Sequence, residues 1–225
     1  MERPNFYRAI HKTLRRSLAL FLAELGAVNP EDREAVAGAC GQWTTLHRLM
    51  EAHALHEDAH IGPVLAEAAP ELFRRMEAGH DAHHAGLANL DLAFRALAQA
   101  APEDRPERLQ EAYLAVTAFM ATDLAHMQME EMEIMPALQA RFDDATLLAL
   151  HGRIVGSLSP AEKAETFSLM FPAVHELERL ELMRALQEKL PPEAFGGLSR
   201  LVASVLPAAA WESLQNRLDL APVVA

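Results

Sequence analysis

The chain has 225 residues, 51% of them hydrophobic, enough for one large domain or a domain with an extension and for a real buried core, while Gly and Pro are too sparse for disorder or a β-rich fold. A net charge of −12 argues against a nucleic-acid surface, which needs clustered Lys and Arg. The single cysteine, Cys40, excludes an intrachain disulfide framework and fits a reducing cytoplasm.

Residues from about 5 to 26 read as a first helix. Tyr7, His11, Leu14, Leu18, Leu22 and Leu25 recur at helical spacing, with Arg8, Lys12, Arg15 and Arg16 opposite. Arg15-Arg16 before a short apolar run resembles a signal segment, but Glu24 interrupts the run and an amphipathic helix fits better. No stretch approaches the ~20 apolar residues of a membrane span. Asn29-Pro30-Glu31-Asp32 is a start signal for a second helix reaching about Ile61, with Leu46, Leu49, His53, Glu57 and His60 inward. Pro70-Glu71 opens a third helix, with Phe73, Met76, His80, Leu87, Leu90 and Phe94 inward. A turn through Pro106 precedes a fourth, which carries Phe119, Thr122, His126, Glu130 and Glu133 on one face and ends near Pro136.

The second and fourth helices contain the same unit. His53, Glu57, Asp58, Ile61 and Pro63 align with His126, Glu130, Glu131, Ile134 and Pro136. In each, the His and the Glu four residues on lie about 40° apart on one face of a helix, one turn above the other, and can hold one metal ion or bridge two. The first and third helices also match: His11 and His80 each stand in an apolar stripe with a Leu seven residues later, Leu18 and Leu87. The repeat is therefore a lone-His helix followed by an HxxxE helix, occurring twice. Two such hairpins with short loops predict an all-α, antiparallel four-helix bundle over residues 1–142.

From about Asp143 the histidines thin out and shorter helices alternate with Pro160, Pro172, Pro191, Pro192 and Pro207. Residues 143–225 are read as a C-terminal helical extension packed on the bundle, offering a lid, a homo-oligomer surface or a surface for a protein partner.

Six inward polar residues stand out: His11, His53, Glu57, His80, His126 and Glu130. A further histidine accompanies His80, and the apolar stripe does not choose between His83 and His84. A lone His on an apolar stripe is usually a satisfied core residue. Seven such polar groups in one core would cost several kcal/mol of desolvation, and a metal centre accounts for their coincidence. Imidazole and carboxylate donors suit Fe, Mn or Zn, and the absence of thiolates argues against a structural zinc site. Histidines outnumber carboxylates, which favours binding of neutral dioxygen over iron oxidation and storage. His60 and Glu133, each seven residues after a proposed ligand, are expected to face one another as a polar layer beyond the carboxylates, a proton relay or gate. Tyr7, one turn before His11, is expected to be a hydrogen-bond donor elsewhere in the pocket.

The helix order His, HxxxE, HxxxH, HxxxE over roughly residues 1–140 resembles the hemerythrin-like (HHE cation-binding) family. The resemblance implies two iron ions in an Fe–O–Fe type centre. His80, His84 and His126 would ligate one and His11 and His53 the other, with Glu57 and Glu130 bridging; the family pattern selects His84 over His83. It also implies an open position for dioxygen or a related small diatomic. One departure matters: the oxygen carriers have an Asp five residues after the last His, where this chain has Glu130 at four and Glu131 at five. That pattern is closer to the sensor and iron-handling branches. The expected function is a cytoplasmic non-haem di-iron protein that binds a diatomic or senses iron or redox status, with Mn or Zn as substitutes. The alternatives are a di-iron peroxidase or oxidase, and a metal-dependent scaffold.

Overall fold

A computed structural model describes residues 3–218, and every regular element among them is helical. In chain order the first part contains α1 (Arg8–Gly26), α2 (Arg33–His60), α3 (Gly62–Ala68), α4 (Pro70–Gln99) and α5 (Arg105–Met129). A π-helical turn (Glu130–Ile134), α6 (Met135–Arg141) and α7 (Asp144–Ser157) follow. Local chemistry sets the helix starts. Asn29 Oδ1 accepts the Glu31 amide in a turn, and the α2 N-cap falls three residues later, where the Asp32 carboxylate accepts the amides of Glu34 and Ala35. Prolines occupy the first turns of α3, α4 and α5, where the missing N–H has no intrahelical role.

The four long helices pack in a closed cycle: α1 against α2 and α5, and α4 against the same two. Two apolar layers hold it together. Phe21, Trp43 and Phe94 pack with ring centroids 5.2–6.2 Å apart, and Leu18, Leu25, Leu90 and Leu97 on the same helices are buried. Further along, Tyr7, Ile61, Leu65, Met76, Ile134, Met135, Leu138 and Leu147 form a second cluster. Each fully buried Leu or Phe here contributes roughly 1.5–3 kcal/mol. On α1, α2 and α4 the histidines and glutamate of the repeat lie, in sequence, between residues of these two layers, and His126 and Glu130 lie between buried Phe119 and Ile134.

The inward faces differ in places from the expected stripes. Thr122 and Glu133 are exposed, Leu22 is half-buried, and Phe21 and Asp123 are buried. The neighbouring residue turns inward in each case, so the helix face is rotated by a fraction of a turn.

The chain divides into two compact units, Met1–Ser157 and Leu158–Ala225. The division falls one helix beyond residue 142. Within the first unit, Leu147 of α7 shares the cluster of Tyr7 and Leu138, and Arg3 pairs with Asp144 at 2.7 Å while donating to the Phe142 carbonyl. The second unit contains α8 (Pro160–Ala173), α9 (Glu176–Lys189), α10 (Pro192–Val205) and α11 (Ala208–Leu218). It has its own core, in which Phe171, Met183, Val202 and Leu214 are fully buried. Ser159–Glu162 and His175–Glu178 form reciprocal capping boxes at the starts of α8 and α9. Among the described residues, no helix is long and apolar enough to cross a membrane.

Candidate metal centre

The helix cycle brings six of the expected residues together. His11, His53, Glu57 and Glu130 form one group whose ligand atoms lie within 4.8 Å of one another; Glu57, His80, His126 and Glu130 form a second. Both glutamates belong to both groups. His53 Nε2 lies 3.1 Å from Glu57 Oε1 and His126 Nε2 lies 3.0 Å from Glu130 Oε1, the one-turn pairs set by HxxxE spacing. The lone histidines close the set across the helices. His11 Nε2 is 3.3 Å from Glu130 Oε2, and His80 Nε2 is 3.2 Å from Glu57 Oε2 and 3.6 Å from Glu130 Oε1.

These donors fit metal ions better than they fit one another. His11 Nε2, His126 Nε2 and both Glu130 oxygens are buried without a well-formed hydrogen bond despite the short separations. Buried polar atoms are normally bonded, so such a convergence favours a shared cation. Two imidazoles and two carboxylates per group form a hard-to-borderline donor set suited to iron, manganese or zinc.

Acids beyond the ligands orient the lone histidines. His80 donates Nδ1–H to Asp58 at 2.6 Å, and His11 donates Nδ1–H to Glu131 at 2.9 Å. Arg15 also bonds Glu131. Each contact turns Nε2 toward the glutamates and makes it a better ligand. Asp58 and Glu131 are equivalent in the repeat, each next to its HxxxE glutamate, and each serves the lone His of the other copy. Their adjacency in both segments was the sequence signal. In a straight helix Glu131 lies about 140° from His126, which conceals that it reaches a different helix.

Electrostatics follow from this crowding. Burial opposes protonation of His11, but the nearby Glu130 carboxylate and the hydrogen bond to Glu131 overcome it and raise its pKa to about 9. At His80 burial is likewise outweighed, by Glu130, Glu57 and Asp58, and the pKa rises to about 11. His53 is pushed well below its ordinary value by burial and by the charge on His11. Glu57 is raised by burial and by its neighbour Glu130. Burial opposes ionisation of Glu130, but the imidazoles of His11, His126 and His80, all within 3.6 Å, outweigh it and lower its pKa.

The other expected site residues fall elsewhere. His84 is outside both groups; half-buried, it lines a surface pocket with Asp58 and Asp81. Glu130 occupies both groups and leaves the His80 group with four donors without His84. His83 is the buried member of the pair, and it donates Nδ1–H to Asp123 at 2.6 Å. Glu133 does not face His60. It forms an exposed ion pair with Arg75, and His60 stacks on His56 with ring centroids 6.4 Å apart. The reason is the π-helical turn at Glu130–Ile134, whose wider i→i+5 turn breaks the two-turn phase between His126 and Glu133. Tyr7 is 1% exposed with its ring 5.0 Å from His11, and no group among the described residues bonds its hydroxyl. Burial, then the charges on Glu57 and Glu130, raise its pKa well above the ordinary value, so it remains a donor beside the carboxylates. A cavity of about 240 Å³ between α4 and α5 is lined by Gly79, His83, Phe119, Asp123 and His126 among others.

Residues 4–138 match the family model of the hemerythrin HHE cation-binding domain. Comparison with curated proteins and with solved structures finds no match.

Proposed function

The chain belongs to the hemerythrin HHE cation-binding family, and from that premise we propose that it is a non-haem di-iron protein that binds dioxygen or a related diatomic. The closed cycle of α1, α2, α4 and α5 is read as the family's antiparallel four-helix bundle. The observation that carries the reading is the sharing of Glu57 and Glu130 by two four-donor groups, an arrangement suited to a pair of ions bridged by carboxylates. His11 and His53 would complete one ion's protein ligands, and His80 and His126 the other's. Four protein donors per ion would leave room for solvent and a small ligand. Iron held there would supply reversible one-electron chemistry and affinity for oxygen species.

The chain's own residues would do the rest. Asp58 and Glu131 hold the lone imidazoles in register, and the Tyr7 hydroxyl supplies a proton donor beside the carboxylates in a pocket closed to bulk water. The lone cysteine supports a reducing cytoplasmic setting, and the second unit supports a role in self-association or partner binding. A second reading, turnover of peroxide, is favoured by the cavity that reaches His126 between α4 and α5.

Metal analysis should give two iron ions per chain, with optical spectra that change when the reduced protein meets air. The Glu57→Ala, Glu130→Ala double variant should lose both ions. Full metal retention in that variant would refute the shared-carboxylate assignment.

A further inference from the structure

The internal repeat supplies its own comparison for the acids that orient the lone histidines. His11 and His80 are equivalent, as are Glu131 and Asp58. One turn after the lone histidine stands Arg15 in the first copy and His84 in the second. The copies differ in what that residue does. Arg15 donates to Oε1 of Glu131, the same oxygen that accepts Nδ1–H of His11 at 2.9 Å. Asp58 pairs with His80 rather than with His84, and accepts Nδ1–H of His80 at 2.6 Å, the shorter bond of the two. The His84 ring lies 5.6 Å from that of His83. Arg74 borders the same pocket as Asp58 but pairs with Glu71.

Helical spacing put Arg15 on the outward side of α1, yet its side chain is only 32% exposed and that of Glu131 only 25%. A charge contact partly shielded from water keeps more of its strength than one in bulk solvent. Asp58 is more open, at 41%, but water competes for it without a fixed charge. A carboxylate that accepts from an imidazole raises that imidazole's basicity as a metal ligand. A guanidinium, always charged, takes part of the same oxygen's electron density for itself. His11 is therefore served by a weakened acceptor and His80 by an undivided one. The inner donors of the two groups otherwise match: one HxxxE histidine each, and both glutamates in common.

We propose that Arg15, acting through Glu131 on His11, makes the two halves of the centre unequal. A first divalent ion is held by the His80–His126 group, and the His11–His53 group is the weaker, exchangeable position. Arg15 is thus a positioning residue that touches no metal ligand itself. The inference rests on the two-ion reading and deepens it by ranking the positions.

The test is a zinc titration of the full-length, metal-free chain labelled with ¹⁵N-histidine, in which coordination moves the Nε2 resonance of each ligand. The His80 and His126 signals should move with the first equivalent, and those of His11 and His53 with the second. In Arg15→Gln the second ion should bind about tenfold more tightly, the low end of what an outer contact to a ligand histidine is worth, and the two steps should merge. Arg16→Gln removes the same charge from an exposed position one residue along α1 and should leave the steps as in the parent. Two ions bound in the reverse order, or together in the parent, overturn the proposal and leave the two-ion reading standing. So does an Arg15→Gln chain that keeps the parent's steps, or an Arg16→Gln chain that merges them. Uptake of a single ion by the parent and by every variant refutes the two-ion reading, and the ranking with it.

Discussion

Histidines set the pH behaviour of the proposed centre. In the metal-free chain His11 and His80 hold their protons to about 9 and about 11, because Glu130, Glu131, Glu57 and Asp58 surround them. Metal ligands must be deprotonated, so loading near neutral pH should release protons and weaken as pH falls. The raised His11 pKa stabilises the metal-free fold fully below the ordinary value of 6.5, and that contribution is lost as pH rises through about 9. Glu57, raised by burial, acts with the same sign; Glu130, lowered, contributes throughout this window. The gap in melting temperature between loaded and metal-free protein should therefore widen from about pH 6.5 to about pH 9. Calorimetry across that range checks it, and a constant gap would contradict the assignment of His11 as a ligand.

At the scale of elements, the approach of α4 to α5 positions half of the centre. A Cβ on Gly79 would overlap the imidazole of His126, so only glycine lets the two helices meet with that ring between them. Gly79→Ala should cost about 1–3 kcal/mol by overpacking and weaken the His80–His126 group more than the His11–His53 group. Metal stoichiometry should drop toward one ion per chain. Gly152 and Gly156 in α7 supply the contrast, because a Cβ there meets nothing within 4 Å. Alanine at either should leave metal content unchanged and raise stability by about 0.4–1 kcal/mol, by restricting the unfolded chain. Thermal melts with metal analysis on the three variants separate the effects.

For the whole molecule, the division after Ser157 decides which truncations are tolerable. A chain ending at Arg141 removes Leu147 and Leu150, both buried, and the Asp144 partner of Arg3. Each lost leucine is worth roughly 1.5–3 kcal/mol, so that chain should melt well below one ending at Ser157. The chain ending at Ser157 should keep its metal content. Equal melting of the two would show that α7 is dispensable to the first unit. The second unit has Phe171, Met183, Val202 and Leu214 in its own core.

Four long helices, the twofold repeat and six inward polar residues were legible in the amino-acid order alone. Each of these follows from spacing along one chain: apolar residues at helical period, His and Glu one turn apart, and a second copy that repeats both. Tertiary structure decided whatever depends on which face meets which partner. Asp58 and Glu131 were visible as paired acids, but only packing across the cycle hands each to the lone histidine of the other copy. Thr122 and Asp123 are neighbours whose inward and outward roles differ by a fraction of a helical turn, below the resolution of a periodicity argument. His84 and Glu133 lay at the expected angles, but a straight helix carries no information about the π-helical turn or about a glutamate that serves two groups at once. The end of the first unit was hidden for the same reason: Leu147 belongs with Tyr7 and Leu138 through contacts that composition does not record.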